Sequence, residues 1–526
     1  MTMPAPFWTT VNASEALPGV VTPMTWSLFD SALEVGLRRS FHEVGVLHAS
    51  ELGVPTRPDR RFLDVFSGRV AINLDTWRAT ADKIPGTSGD ALEQQMFGSA
   101  REDIPSLRSR RRYPHVALRM PIAAARVVRE VHAARDASTT LWRSTLSTPP
   151  RDLAGAADVL LASRDALTHN FHWHGVGTML AQGCHDQLAH LCRIHELEGL
   201  ELSLLTGFDD LEERAMLNDL QALAAGKIEL QTFLGEHGYH GQGAAEIAIP
   251  SWRVDPAPVH RLIASFAEST PEDRGGQVRT ERQRATNELL AAVSGPRVPL
   301  AKLLLRAGLR FMPLREAGRK GVLLAADTAR MAVQVAAHDL VSRGAVTAED
   351  DVLFLTIEEL VRPPDDLAAI VAHRRAAHDA HTRTPIPATW YGTPTANAGD
   401  TPLSSTDPNN PLRGIAASTG VVEGPARVVV DPVIDELEPG EILVCRTTDP
   451  SWASTFMLAA GAVIEVGSAL SHGAILAREL GVPCVINVAD ATTRLKTGDI
   501  IRIDGRTGDI AVISPSTREA LRPDPR

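Results

Sequence analysis

The sequence predicts a multidomain chain, with a large, mostly α-helical domain over residues 1–382 and a C-terminal β/α domain over 414–515. Three observations predict it. Apolar residues recur at three- and four-residue spacing from about 30 to 380. The stretch 383–413, RTPIPATWYGTPTANAGDTPLSSTDPNNPLR, loses that period and is loaded with Pro, Thr, Ser, Asn and Gly. After it come short β-like runs separated by Gly, Pro and Asp.

At about 150 residues per domain, 526 residues allow three or four domains, or two large ones. Apolar residues are 44% and charged residues 22%, ordinary globular usage. A net charge of −11 argues against a general binder of nucleic acid or anionic membrane. Cys184, Cys192, Cys445 and Cys484 show no C-x-x-C spacing, so no zinc ribbon or redox pair is read and buried thiols are expected. MTMPAPFWTTVN lacks a basic, then apolar, leader pattern, and no uncharged apolar run of about 18 residues occurs. The expected compartment is the cytoplasm.

Residues 1–30 read as an irregular, extended opening. AADVLLASRDAL at 156–167 is helical. So is DDLEERAMLNDLQALAAG at 209–226, where Leu211, Met216, Leu217, Leu220 and Leu223 share one face and Gly226 is a stop. A further helix is predicted over 319–343, followed by the turn-like AVTAEDDV and the apolar LFLTIEEL. Residues 383–413 read as a linker or long surface segment. Strands are predicted at GVVEGPARVVV, EILVC, AVIEV, CVINV, DIIRID and DIAVI, with a helix over about Gly473 to Leu480 and a tail at 516–526.

The chemistry concentrates at 447–488. A β-run leads into the small-residue loop GSALSH, which opens into the helix GAILAREL. His472 therefore stands at a helix N-terminus, where unpaired N–H groups and the positive dipole end favour an anion. A phosphoryl group on an imidazole nitrogen is such an anion, and histidine forms covalent intermediates. Ser471 is a candidate N-cap and Arg478 a candidate phosphate neutraliser. On spacing alone, a structural histidine is the commoner outcome for such a position.

Other candidates have plainer readings beside them. His169, His172, His174, His185, His190 and His195 cluster, but His174 lies well round the helix from His172; a polar face or pocket lining is preferred to a metal site, and no metal is expected. Arg108, Arg110, Arg111 and Arg112 read as a solvated face or partner contact. Arg315, Glu316, Arg319 and Lys320 form either a helix-surface ion-pair cluster or an acceptor-side site. Glu246 and Trp252 stand between packing and pocket roles. Trp8, Trp26 and Phe29 are expected in the core.

The motifs GIAASTGVVEGPARVV, PGEILVCRTTDPSW, EVGSALSHGAILARELGVPCV and TGDIIRIDGRTGDI span the last domain. Together they resemble the phosphohistidine, or swivelling, domain of the PEP-utilising enzymes (PEP synthase and pyruvate phosphate dikinase), closest in flavour to rifampicin phosphotransferase-like proteins. The resemblance implies that His472 carries the phosphoryl group, supported by Ser471, Gly473, Arg478, Thr448 and Asp449. Thr419, Ser468 and Ser454 depart from the family's usual residues without removing the nucleophile. Upstream, VNASEALPGVVTPMTWS, FLGEHGYHGQGAAEIAIPSWRVDP, PLREAGRKG and VTAEDDVLFLTIEEL resemble the family's substrate-binding helical domain, the last as a closing strand-turn element. This implies substrate-binding roles for Arg315, Glu316, Arg330, His240 and Glu246, although Tyr239 and His240 replace the family's polar-basic pair.

The family's ATP-grasp domain and PEP-handling TIM barrel are not readable in this chain. The resemblance then implies a phosphotransferase subunit that binds no cofactor directly, with ATP and Mg²⁺ on a separate ATP-grasp partner. Its C-terminal domain swings on 383–413 and delivers the phosphoryl group to a small-molecule hydroxyl acceptor. The alternatives are a non-catalytic binding or regulatory protein derived from the family, and a PEP-dependent phosphotransferase.

Overall fold

The computed structural model describes residues 5–11, 13–97, 100–101, 104–208, 211–268, 275–396, 411–429, 437–448, 452–467 and 471–516. Seven helices matter most below: α1 (Pro23–Glu43), α2 (Tyr113–Ser147), α3 (Leu153–Ile194), α4 (Glu212–Ala224), α5 (Gly275–Ala292), α6 (Pro313–Ser342) and α7 (His472–Leu480). The strands are β1 (Phe7–Thr9), β2 (Leu63–Phe66), β3 (Arg69–Asn73), β4 (Thr389–Tyr391), β5 (Ile415–Ser418), β6 (Val421–Val429), β7 (Ile442–Cys445), β8 (Gly461–Ile464), β9 (Cys484–Ile486), β10 (Ile500–Asp504) and β11 (Asp509–Ser514).

The helical domain is organised around α6. Small side chains recur along it (Ala325, Ala326, Ala329, Ala332 and Ala336), all buried, and they let neighbouring helices approach closely. Glycines set the tightest crossings. A Cβ at Gly321 would lie 1.9 Å from Asn170 Oδ1, and one at Gly318 2.7 Å from the His174 ring, both on α3. Gly36 of α1 makes the same allowance for Phe171. Local signals start these helices where the sequence changes character. Thr22 caps α1, its hydroxyl accepting from Thr25 N–H, with Pro23 at the first turn. Asp152 caps α3.

The structure corrects several expectations. Residues 1–30 are not irregular throughout: β1 and the start of α1 lie within them. The hairpin β2–β3 interrupts the helical region, turning at Ser67 and Gly68, both at positive φ. The stretch 346–360 holds no strand. It forms a 3-10 helix, Glu349–Phe354, and a short α-helix, Ile357–Val361. Thr356 and Glu359 close a capping box there, which selects helix over strand. The expected linker is shorter than 383–413, because β4 lies inside it. Trp390 of β4 pairs with Trp8 of β1 and packs against Phe66, completing an antiparallel sheet of order β2-β3-β1-β4. Burying two tryptophans fixes those residues to the helical domain. Residues 397–410, and the tail from 517, lie outside the described residues.

The C-terminal domain is a seven-stranded sheet of order β11-β10-β6-β7-β8-β9-β5. β6, β7, β8 and β9 run parallel, and the flanking strands are antiparallel. All six β-like runs predicted from the sequence are strands. One face of the sheet buries Ile442, Val444, Val463 and Val485. The other buries Leu443, Cys445, Ala462 and Ile464 beneath α7. All four cysteines are buried, and none is joined in a disulfide. Burial pushes the thiols of Cys184 up to about 11 and of Cys192 and Cys484 up to about 12, so they stay protonated.

Gly321→Ala should lower the melting temperature. The added methyl meets a buried Asn170 whose Nδ2 donates to Ser138 Oγ at 2.8 Å. That overpacking costs about 1–3 kcal/mol, more than the ~1 kcal/mol of helix propensity gained. A rise in melting temperature on thermal denaturation contradicts this packing.

Candidate functional site

The parallel strands place the site. Loops following β7 and β8 leave from their carboxyl ends, the edge at which α/β sheets hold ligands. The β7 loop delivers Thr448, and the β8 loop delivers Ser471, His472 and Gly473. His472 is the first residue of α7, and Ser471 occupies the N-cap position without a side-chain capping bond. Thr448 is buried against this helix start. A Cβ at Gly473 would fall 2.5 Å from Thr448 Oγ1 and 2.8 Å from Ile464 Cδ1, so only glycine lets the two loops meet. The unsatisfied N–H groups of the first turn thus stand beside a hydroxyl, an arrangement suited to an anion. Asp449, Ser468 and the side chain of His472 lie outside the described residues.

Arg478 is buried one and a half turns along α7. Its Nε donates to Ala474 O at 3.0 Å, which turns the side chain back toward the helix start. Burial lowers its pKa to about 10, still a cation at neutral pH. Arg315 of α6 stands in electrostatic reach of it, and Arg315 also reaches Glu316 and the buried His174. Burial holds His174 neutral, at about 4.

The face of α7 one and two turns beyond residue 472 packs on the helical domain. Ile475, Leu476, Glu479 and Leu480 meet Leu211, Arg214, Leu217 and Glu316 across a crevice of about 10 Å³. That volume holds about one water, so this face is a packing surface and not an acceptor pocket. Charged groups ring it. Arg319 pairs with Glu213 and, at 3.0 Å, with Glu316. Lys320 pairs with Glu212 at 2.6 Å. Burial raises Glu316 to about 7 against the pull of Arg315, with Glu212 adding to the rise. Glu479 is raised to about 7 by burial, opposed by the Phe208 N–H, Arg214, the Gly207 N–H and Arg478.

The residues expected in the substrate site fall into two groups. Arg315 and Glu316 face α7 with Arg478. Arg330, Glu246 and His240 stand elsewhere. Fifteen residues of helix separate Arg315 from Arg330 by about 22 Å, too far for one small acceptor. Arg330 donates to the carbonyls of Ala244 (2.9 Å), Glu246 (3.0 Å) and Ile247 (3.3 Å), and to Asp327 at 2.8 Å. Asp327 also accepts from Trp142 Nε1 at 2.8 Å. Glu246 accepts from the hydroxyls of Thr22 (2.8 Å) and Thr25 (2.6 Å). These two side chains are committed to fastening the 240–250 loop to α1 and α6. His240 is buried among Tyr239, Trp252 and His237, and neither ring nitrogen has a hydrogen-bond partner among the described residues. Burial keeps it neutral. Among the described residues, the 169–195 histidines included, no group of three or more His, Cys, Asp or Glu side chains is placed to hold a metal ion. His172 stacks on Trp173 instead.

Residues 437–508 match the PEP-utilising enzyme mobile domain, and residues 197–316 match the rifampicin phosphotransferase fourth domain. The chain is similar to rifampicin phosphotransferase. That of Streptomyces sviceus is 30% identical over 321 residues, 58% of this chain and 37% of that protein. An uncharacterized protein of Mycobacterium tuberculosis is 31% identical over 291 residues, 53% of this chain and 32% of that protein. The uncharacterized phosphotransferase YvkC of Bacillus subtilis is 34% identical over 189 residues, 34% of this chain and 23% of that protein. The chain therefore spans well under half the length of these relatives. The rifampicin phosphotransferase fourth-domain match ends at Glu316, so it takes in α4 and the Arg315–Glu316 pair, while α7 lies in the mobile-domain match. The crevice is where the two matched segments meet. No helix among the described residues is long and apolar enough to cross a membrane.

Glu479 is not among the site residues expected from the sequence, yet the sequence carries a signal for it. On α7 it falls seven residues after 472, on the stripe of Ile475 and Leu476, so a lone acid sits on an apolar face. Glu479, whose N–H partners lie across the crevice, binds a proton more tightly there than an ordinary carboxylate near 4.5. Closure is therefore fully supported below about pH 4.5 and loses that support as pH rises through about 7. The ratio of closed to open forms should fall by at least about tenfold across that window, read by small-angle scattering; a rise contradicts the assignment. In the second group, Arg330→Lys should strip the fork from the three loop carbonyls and cost about 2–4 kcal/mol in chemical denaturation. An unchanged midpoint contradicts the fastening role.

Proposed function

We propose that the chain is a phosphotransferase component whose C-terminal domain carries a phosphoryl group on His472. The observation that supports this most is the convergence of the β7 and β8 loops on a helix start opened by His472, with Thr448 pressed on Gly473. In the first step an imidazole nitrogen attacks the donor phosphorus, the N–P bond forms and the donor's O–P bond breaks. In the second an acceptor oxygen attacks in line, the N–P bond breaks and the hydroxyl proton leaves to a base or water. Such transfers depend on positioning and charge stabilisation. The α7 N-terminus favours the carried anion, and Arg478 with Arg315 keeps positive charge behind it.

The donor on this reading is ATP with Mg²⁺, held by a separate ATP-grasp chain, and the acceptor is a small-molecule hydroxyl. The similarity to rifampicin phosphotransferase and to the phosphotransferase YvkC supports a phosphoryl-transfer role. An acceptor does not fit the closed crevice, so the acceptor meets the carrier beyond the N-terminal end of α7, or after the domain has moved.

The test is acid-labile, base-stable label on the full chain. With β-labelled ATP and a candidate ATP-grasp partner, wild type should take up label and His472→Ala should take up none. Label from PEP alone, with no partner present, replaces ATP as the donor. Equal labelling of both proteins removes His472 as carrier, and no label under any of these conditions favours a binding or regulatory protein.

A further inference from the structure

The turn at Thr206–Phe208 is built to receive an anion. Gly207 sits at φ +71°, a conformation that turns successive N–H groups to one side. Arg282 of α5 holds the turn from behind, donating to Thr206 O at 2.8 Å and Gly207 O at 3.0 Å. The Gly207 and Phe208 N–H groups both donate to the carboxylate of Glu479, at 3.0–3.1 Å and 3.0 Å. Arg214 of α4 donates to the Glu479 carbonyl at 3.2 Å, satisfying a carbonyl that the end of α7 leaves unpaired. Glu479 is 5% exposed, and all of these partners belong to the helical domain.

We infer that Glu479 is the latch that holds the carrier domain on the helical domain, its carboxylate seated in the Gly207–Phe208 backbone and its carbonyl gripped by Arg214. It acts as a positioning residue: it sets where the start of α7, and so residue 472, stands between transfers. The inference rests on the reading of the C-terminal domain as a mobile carrier. A latch of this kind is reversible by construction. Three donors hold it, while taking a carboxylate out of water works against it. Around Glu479 stand Arg214 on α4, Arg478 on its own helix, Arg279 and Arg282 on α5, and Glu213 and Glu316 across the crevice. Removing the acceptor leaves two buried N–H groups without one. Replacing it by a neutral acceptor keeps the bonds and drops the desolvation cost.

The test compares the full chain with Glu479→Ala and Glu479→Gln by hydrogen exchange and small-angle scattering, with no phosphoryl donor present. Glu479→Ala should speed exchange at the 207 and 208 amides by about tenfold or more and enlarge the molecule. Strands β6 to β8 should keep their protection. Glu479→Gln should restore both readouts and flatten their pH dependence. Exchange and size like wild type in Glu479→Ala overturn the latch. So does loss of protection throughout the C-terminal sheet with Gln no better than Ala, which makes Glu479 a residue of the fold alone. These readouts involve no chemistry at His472, so a latch that holds with no label at 472 would refute the carrier reading and not the latch.

Discussion

The position of the C-terminal domain depends on one helix face, the stripe Ile475–Leu476–Glu479 of α7 laid on α4 and the start of α6. The same helix does two things at once. Its N-terminus, opened by His472, collects the loops from β7 and β8, and its outer face decides where that N-terminus points. Coupling the two in nine residues means that any movement of the domain also moves the end that begins at His472. The contact is mixed in character. Apolar packing joins Leu217 and Leu220 of α4 to Leu476 and Phe456 of the C-terminal domain, while Glu479 and Arg214 supply directional bonds. Apolar area favours contact without choosing a register; the hydrogen bonds choose it.

The helical domain meets this face with a rigid support. α6 threads the middle of its layer, packed along α3 and α2, with Gly318 and Gly321 letting α3 come close. At its N-terminal end it presents Arg315 and Glu316 to the crevice. At mid-length the same helix uses Asp327 and Arg330 to hold the 240–250 loop, which in turn grips Thr22 and Thr25 through Glu246. One helix thus serves the site at one end and the architecture in the middle. His174 is buried against Gly318 beside Arg315, at the N-terminal end of the helix.

The C-terminal domain was legible almost residue by residue, because short β-branched runs between Gly, Pro and Asp leave few alternatives, and because Ser471–His472–Gly473 sits where a strand pattern gives way to a helix. The long helices were legible from apolar period. What the sequence hid was pairing over distance. TWY at 389–391 sits in a Pro- and Thr-rich stretch and becomes a strand only because Trp8 is there to pair with it. LFLTIEEL looks strand-like until Thr356 and Glu359 close a capping box. Arg330 and Glu246 resemble ligand-binding residues by type, and only the folded chain shows their polar atoms already spent on backbone and threonine partners. Glu479 was visible as an acid on an apolar stripe, but its partners are backbone N–H groups, which no side-chain pattern announces.

The proposed departure of the C-terminal domain from a docked position set by α7 is open to direct measurement. Spin labels at Gln221→Cys on exposed α4 and Arg502→Cys on exposed β10 can report it in the full chain by pulsed dipolar spectroscopy, since the four native cysteines are buried. Reversible docking predicts two distance populations, one matching the docked arrangement and one longer, whose ratio shifts toward the longer as pH rises through about 7. A single narrow distance, unmoved by pH, would contradict it.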